Sequence, residues 1–200
     1  IGAGWQINEH HAFGIELESA VTRVDRFEEA IQIVRRFFTE ELTNFSGRHY
    51  TIVDAPMDPK PVQSPLPILV GTSSPRMLRI TAEHADEWNT WGDPDLVAEN
   101  TAKLRAACER VDRDPATLHT CAQALVVVTN DPAAAEAARA GFTPRRTIAG
   151  SLEQVVDEVG RYADVDLDEF IVPDWAFSDD LDTRHGQLVE LFTALTAAHG

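Results

Sequence analysis

Val24, Phe27, Ile31, Val34 and Phe38 recur at spacings of three and four, a single apolar stripe that predicts a helix from about Ser19 to Leu42. The period then changes. Asn44-Phe45 and Tyr50-Thr51-Ile52 flank Ser46-Gly47 and predict a small hairpin. Pro56, Pro59, Pro61, Pro65 and Pro67 exclude regular structure from the loop that follows, so the stretch at about 43–67 reads as an insertion within one domain spanning 1–200. Ile68-Leu69-Val70 is a short buried strand, and Pro75 opens a helix to His84. Asp86 to Asn89 predicts a very short strand. Asp93-Pro94 starts a helix to about Asp112 whose inner face carries Val97, Thr101, Leu104, Cys108 and Val111. Leu118 to Val128 reads as one buried β-branched strand, and Asp131-Pro132 opens an alanine-rich helix. Ser151-Leu152-Glu153-Gln154 is a capping box beginning a helix to about Ala163. Phe170-Ile171-Val172 is the last strand, before a helix lined by Leu188, Leu191, Phe192 and Leu195.

Strands alternating with helices predict an α/β protein with a parallel sheet. Ile1-Gly2-Ala3-Gly4 resembles the end of a further strand turning into a glycine loop. On a (β/α)8 barrel of about 250 residues or more, roughly three to four strand–helix units would then precede residue 1, and such a fragment would expose sheet edges and an apolar face. A small doubly wound sheet is the alternative.

One turn carries a chemical expectation. After the strand ending at Gly71 come Thr72, Ser73 and Ser74, then Pro75 at the first helical position. Free N–H groups at a helix start, nearby hydroxyls and the positive end of the helix dipole together favour an anion such as a phosphate. Ser74 is the expected N-cap, and Arg76 and Arg79 would add charge. The same residues also suit an ordinary strand-to-helix connection.

Composition narrows the partners. A formal charge of −16 over 200 residues counts against nucleic acid and anionic membranes, while the arginine groups Arg76/Arg79 and Arg145-Arg146 leave room for a small anion. The 44% hydrophobic content is that of a soluble globular chain, and the absence of a long apolar run predicts a cytoplasmic protein without a membrane span. Cys108 and Cys121 are isolated, which fits core thiols and no zinc site. Adjacent His10 and His11 on a helix would point about 100° apart, a poor geometry for a shared metal, so no metal is expected.

Ordered segments along nearly the whole chain resemble a known family. Ile1-Gly2-Ala3-Gly4-Trp5, Glu9-His10, Ala12-Phe13-Gly14, Arg26 to Ala30, Phe45 with Gly47-Arg48-His49-Tyr50, Pro59-Lys60-Pro61, Ile68 to Gly71, His84 to Asn89, Ala149 to Val156 and Glu169 to Asp174 are similar to the luciferase-like monooxygenase superfamily. Within it the chain looks most like the branch of oxidoreductases dependent on the deazaflavin coenzyme F420, common in actinobacteria. The resemblance implies a (β/α)8 TIM barrel of the bacterial luciferase-like type, of which this chain holds the C-terminal part, from about the end of strand 4 through strand 8. Its site would lie at the C-terminal ends of the strands.

The resemblance further implies that the coenzyme phosphate sits at Gly71, Thr72, Ser73, Ser74 and Arg76, and that Gly2, Ala3, Gly4 and Trp5, with Asn8, border the ring or its ribityl chain. Hydride transfer between coenzyme F420 and a small organic substrate is the implied reaction, with a homodimer as the assembled form of the full-length protein. Trp88, Asp174 and Trp175, at strand ends, are candidate substrate-pocket residues, and His10 is a weak candidate proton donor; no catalytic acid is assigned. An FMN-dependent monooxygenase on the same barrel is the alternative, and a non-catalytic barrel remnant acting as a packing or interaction module is the alternative from another class.

Overall fold

The computed structural model describes residues 1–199, which group into two compact units. The first comprises Ile1–Trp88 with Ala106–Leu118, and the second comprises Asn89–Arg105 with the chain from His119 onward.

In the first unit, α1 (Ile7–Phe13) buries no residue, whereas α2 (Ala20–Thr39) buries Phe27, Ile31 and Ile33 and packs on a later helix. The apolar stripe is therefore real, though Ile33 replaces Val34 as its most buried flank. The antiparallel pair β1 (Thr43–Ser46) and β2 (Thr51–Ala55) forms the expected hairpin, with Phe45 opposite Ile52. Its turn sits on α2. Glu29 accepts from the backbone N–H groups of Arg48 at 2.7 Å, His49 at 2.9 Å and Tyr50 at 3.0 Å. Gly47 is required there, because a Cβ would lie 2.4 Å from the Glu29 carboxylate and 2.6 Å from the Phe45 ring. Desolvation pushes the Glu29 carboxyl up, but the three amide donors outweigh it and hold it below its ordinary value.

The proline-rich loop leads to β3 (Leu69–Gly71), and α3 (Pro75–His84) then buries Met77, Leu78, Ile80, Thr81 and Ala82. β3 neighbours β4 (Glu87–Trp91). Residues 1–6 adopt no strand, although the Ile1 nitrogen lies 2.6 Å from Leu69 O.

The second unit contains the end of β4 and most of α4 (Pro94–Arg110). The expected single strand over 118–128 is two: β5 (His119–Gln123) and β6 (Leu125–Val128). They divide at Ala124 because they take different partners. β5 pairs in parallel with β8 (Glu169–Ile171), in the order β4-β5-β8, and β6 pairs in parallel with β7 (Thr147–Gly150). A continuous β-branched run cannot report such a change of partner. β7 itself carries only one large apolar residue, Ile148, yet all four of its residues are buried.

Helices α5 (Pro132–Gly141), α6 (Leu152–Gly160) and α7 (Leu181–His199) complete the unit. α6 ends three residues before Ala163, where the chain tightens into a 3-10 turn from Arg161 to Val165. The core of this unit gathers Val97, Ala122, Val126, Ile148, Val155, Val159, Tyr162 and Leu191, and the Tyr162 hydroxyl donates to Gly92 O at 2.7 Å. Burial is the cause that raises the Tyr162 phenol above its ordinary value. Among the described residues no helix is long and apolar enough to cross a membrane.

Candidate functional site

The turn from β3 into α3 is exposed at Gly71, Ser73 and Ser74. Ser74 occupies the N-cap position, as expected, but its side chain makes no capping bond. Its backbone N–H instead donates to Thr72 Oγ1 at 3.3 Å. The first-turn amides of α3 are thus left open, while carbonyls at the far end of the helix are bound by arginines. Arg113 donates to Ala82 O at 3.1 Å and Ala85 O at 2.7 Å, and Arg35 to His84 O at 3.3 Å. Arg113 and Arg35 answer the carbonyl end of the dipole, whereas no side chain caps the amide end.

The turn is held from behind. Trp88 is fully buried, and its indole donates from Nε1 to Thr72 O at 2.8 Å. With no surface to offer a ligand, Trp88 positions the turn instead of walling an open pocket. Ile68, at the entrance to β3, donates to Asp86 Oδ2 at 2.7 Å, and Arg35 pairs with that carboxylate.

Arg76 departs from its expected role. Its guanidinium pairs with Asp25 and lies 3.5 Å from Glu28, while Arg79 pairs with Glu28 at 2.8 Å and Glu83 at 2.5 Å. The carboxylates of α2 thus neutralise both arginines. The hydrogen bond from Arg76 is the leading reason Asp25 sits below its ordinary value. An anion at the turn would be met by backbone amides and hydroxyls, with no free positive side chain from this pair.

The other expected coenzyme residues lie near the start of the chain. Gly4 has a φ of +79°, and a Cβ there would lie 3.5 Å from the His10 ring. Trp5 is 70% exposed and Asn8 is exposed. His10 Nδ1 lies 2.9 Å from Gln6 O; a carbonyl only accepts, so Nδ1 is the donor in that bond. Gly2, Ala3 and His10 line a cavity of about 260 Å³ with Arg23, Arg26 and Tyr50. The described residues contain no cluster able to hold a metal ion.

In the second unit, Asp174 and Trp175 lie on a 3-10 turn after β8. Asp174 pairs with Arg184 at 3.2 Å, and Trp175 meets Trp91 edge-on with ring centroids 6.4 Å apart. Trp91 was missing from the sequence-based candidates because the expected strand stopped at Asn89; the strand continues through Trp91, which is the signal that could have found it. The Arg145-Arg146 pair separates, with Arg146 bound to Glu158 and Arg145 stacked on Trp175.

The family model for luciferase-like monooxygenases matches residues 1–166. The chain belongs to the luciferase-like monooxygenase family. Among curated members, it is 30% identical over 184 residues to an F420-dependent hydroxymycolic acid dehydrogenase of Mycobacterium tuberculosis, covering 90% of this chain and 49% of that protein. It is also 30% identical over 119 residues to the pyrimidine monooxygenase RutA of Allorhizobium ampelinum, covering 56% of this chain and 32% of that protein. The chain thus spans about half or less of these two relatives. Among solved structures, an F420-dependent secondary alcohol dehydrogenase in complex with an F420–acetone adduct superposes with a TM-score of 0.80 at 19% identity, over 97% of this chain and 68% of that one. A monooxygenase from Streptomyces bottropensis gives 0.77 at 16% identity, over 100% and 68%. These likenesses establish the fold of the luciferase-like family, an α/β barrel of which this chain corresponds to a part.

Proposed function

We propose that the protein to which this chain belongs is an oxidoreductase that moves a hydride between the deazaflavin coenzyme F420 and a small organic substrate. The observation that carries this is the open start of α3, where Ser74 withholds its capping bond and Gly71, Ser73 and Ser74 stay exposed. A phosphate fits that turn: it needs several N–H donors and a positive helix pole, and a Cβ at Gly71 would meet nothing within 4 Å. The F420 dependence of the mycobacterial relative supports deazaflavin over flavin. When bound, the coenzyme supplies the carbon that gives or takes the hydride.

The residues of the chain position and enclose. The amides of Arg76 and Met77, with the hydroxyls of Ser73 and Ser74, hold the phosphate, and Trp88 fixes the turn through Thr72. Gly2, Ala3, Gly4 and Trp5, with Asn8, border the ring system. His10, its ring oriented by the bond from Nδ1 to Gln6 O, is the candidate proton donor. A second reading, an FMN-dependent monooxygenase, is favoured by the similarity to RutA.

Titration of the intact protein with F420 and with FMN, followed by desalting, separates these readings. Retention of F420 is the expected result. Retention of FMN alone would sink the proposal in favour of the monooxygenase, and retention of neither would favour a packing module. Ser73→Asp, which puts a negative charge at the helix start, should abolish retention.

A further inference from the structure

Trp91 is the last residue of β4, and Trp175 follows β8 on a 3-10 turn, so in the strand order β4-β5-β8 the two indoles stand at the strand exits on either side of β5. Their planes meet at 81°, the edge-to-face geometry that fixes one ring by the other. Arg184 sets the turn that carries Trp175, donating to Ser178 O at 2.8 Å and to Asp174 Oδ2 at 3.2 Å. Despite these restraints Trp175 remains 51% exposed.

Arg145 places its guanidinium 5.1 Å from the centre of the Trp175 ring. Its pairing is unlike that of its neighbours. Among the described residues of this unit, Arg105 pairs with Asp166, Arg139 with Glu136, Arg146 and Arg161 with Glu158, and Arg184 with Asp174. Arg145 alone has a guanidinium with neither a carboxylate nor a carbonyl acceptor, so its planar fork of N–H donors is held by an aromatic face and left for an outside acceptor. In a chain with a formal charge of −16, a cation that finds no internal carboxylate is a specific local feature.

We infer that Trp175 and Arg145, braced by Trp91, form a subsite for a flat, conjugated substrate bearing a carboxylate. The open part of the indole stacks on the conjugated plane, and the Arg145 fork takes the carboxylate with two parallel N–H bonds. This rests on the proposed oxidoreductase function, whose substrate class it names. A deazaflavin is also flat and anionic, so the coenzyme and the substrate must be separated by experiment.

Calorimetric titration of the intact protein with 2-naphthoate and its neutral isostere 2-naphthamide provides the test, with F420 titrated against the same variants. Naphthoate should bind about tenfold more tightly than naphthamide, and Arg145→Gln should remove that difference. Trp175→Leu should weaken both probes, Arg161→Gln should weaken neither, and all three variants should keep F420 affinity within about twofold. Equal binding of the two probes to the wild type, or a preference for naphthoate that survives Arg145→Gln, would overturn the inference. So would a loss of F420 affinity in Arg145→Gln, which would place Arg145 on the coenzyme. If F420 and FMN both fail to bind while the naphthoate pattern holds, the subsite stands and the coenzyme reading falls.

Discussion

Two helices follow strands through a serine at the N-cap position, and they begin in opposite ways. At α6, Ser151 accepts from Gln154 N at 3.3 Å while Gln154 Oε1 accepts from Ser151 N at 2.9 Å, a closed capping box that satisfies both ends of the turn. At α3, Ser74 makes no capping bond, and the third helical residue is Met77, which has nothing to send back. Close packing repeats the contrast: a Cβ on Gly150 would fall 2.5 Å from Gln154 Oε1, whereas one on Gly71 meets nothing within 4 Å. A serine before a helix is therefore not evidence of a cap. At α6 the Gln154 side chain closes the turn, and Met77 offers no such group at α3.

The sharpest break of this contrast is Ser74→Asp, which would cap α3 internally and oppose an incoming phosphate. F420 affinity should fall by about 30-fold or more, whereas Ser151→Asp should leave it within about twofold, both read by fluorescence titration. Equal effects of the two substitutions would remove α3 from the coenzyme site. Stability should respond the other way round. Ser151→Ala is expected to cost about 1 kcal/mol in urea denaturation, and Ser74→Ala only a few tenths, since no bond is lost there. A comparable cost at the two positions would mean that Ser74 caps in solution.

Trp88→Phe tests whether the open turn needs its support. The ring stays buried but the bond to Thr72 O is lost, for a stability change of about 1 kcal/mol and a modest loss of F420 affinity. Unaltered affinity would leave Trp88 with packing alone. The smallest effect belongs to Asp25→Asn, which releases Arg76 toward the turn and should raise F420 affinity about threefold at low salt. Its pH signature has a definite sign. Asp25 lies below its ordinary value in the folded protein, so its contribution is present above the ordinary carboxylate range and is lost as pH falls through the lowered native value. Wild type should accordingly lose more Tm between pH 5 and pH 3 than Asp25→Asn; parallel curves would show the ion pair to be fully screened.

The alternation of elements, the boundaries of α3, the hairpin and the capping box were all legible from residue pattern, because each depends on contacts within a few positions. The break at Ala124 and the strand β7 were not. Both are decided by which strand lies alongside, and a four-residue strand with one large side chain carries no period of its own.

The candidate site divides along the same line. The sequence by itself determined the parts of the α3 turn: a glycine at the strand end, three hydroxyl residues, a proline at the first helical position and no glutamine to close the box. Only the tertiary structure decided what those parts face. Asp25 and Glu28, about fifty residues earlier, take the charge of Arg76, and Arg113 and Arg35 fill the far end of α3. Likewise Arg145 and Arg146 are indistinguishable neighbours in sequence, and folding gives one a carboxylate and the other an indole. Ion pairing and ring stacking act over a few ångströms of space with no regard for separation along the chain, so the identity of a charged residue is written locally and its availability is not.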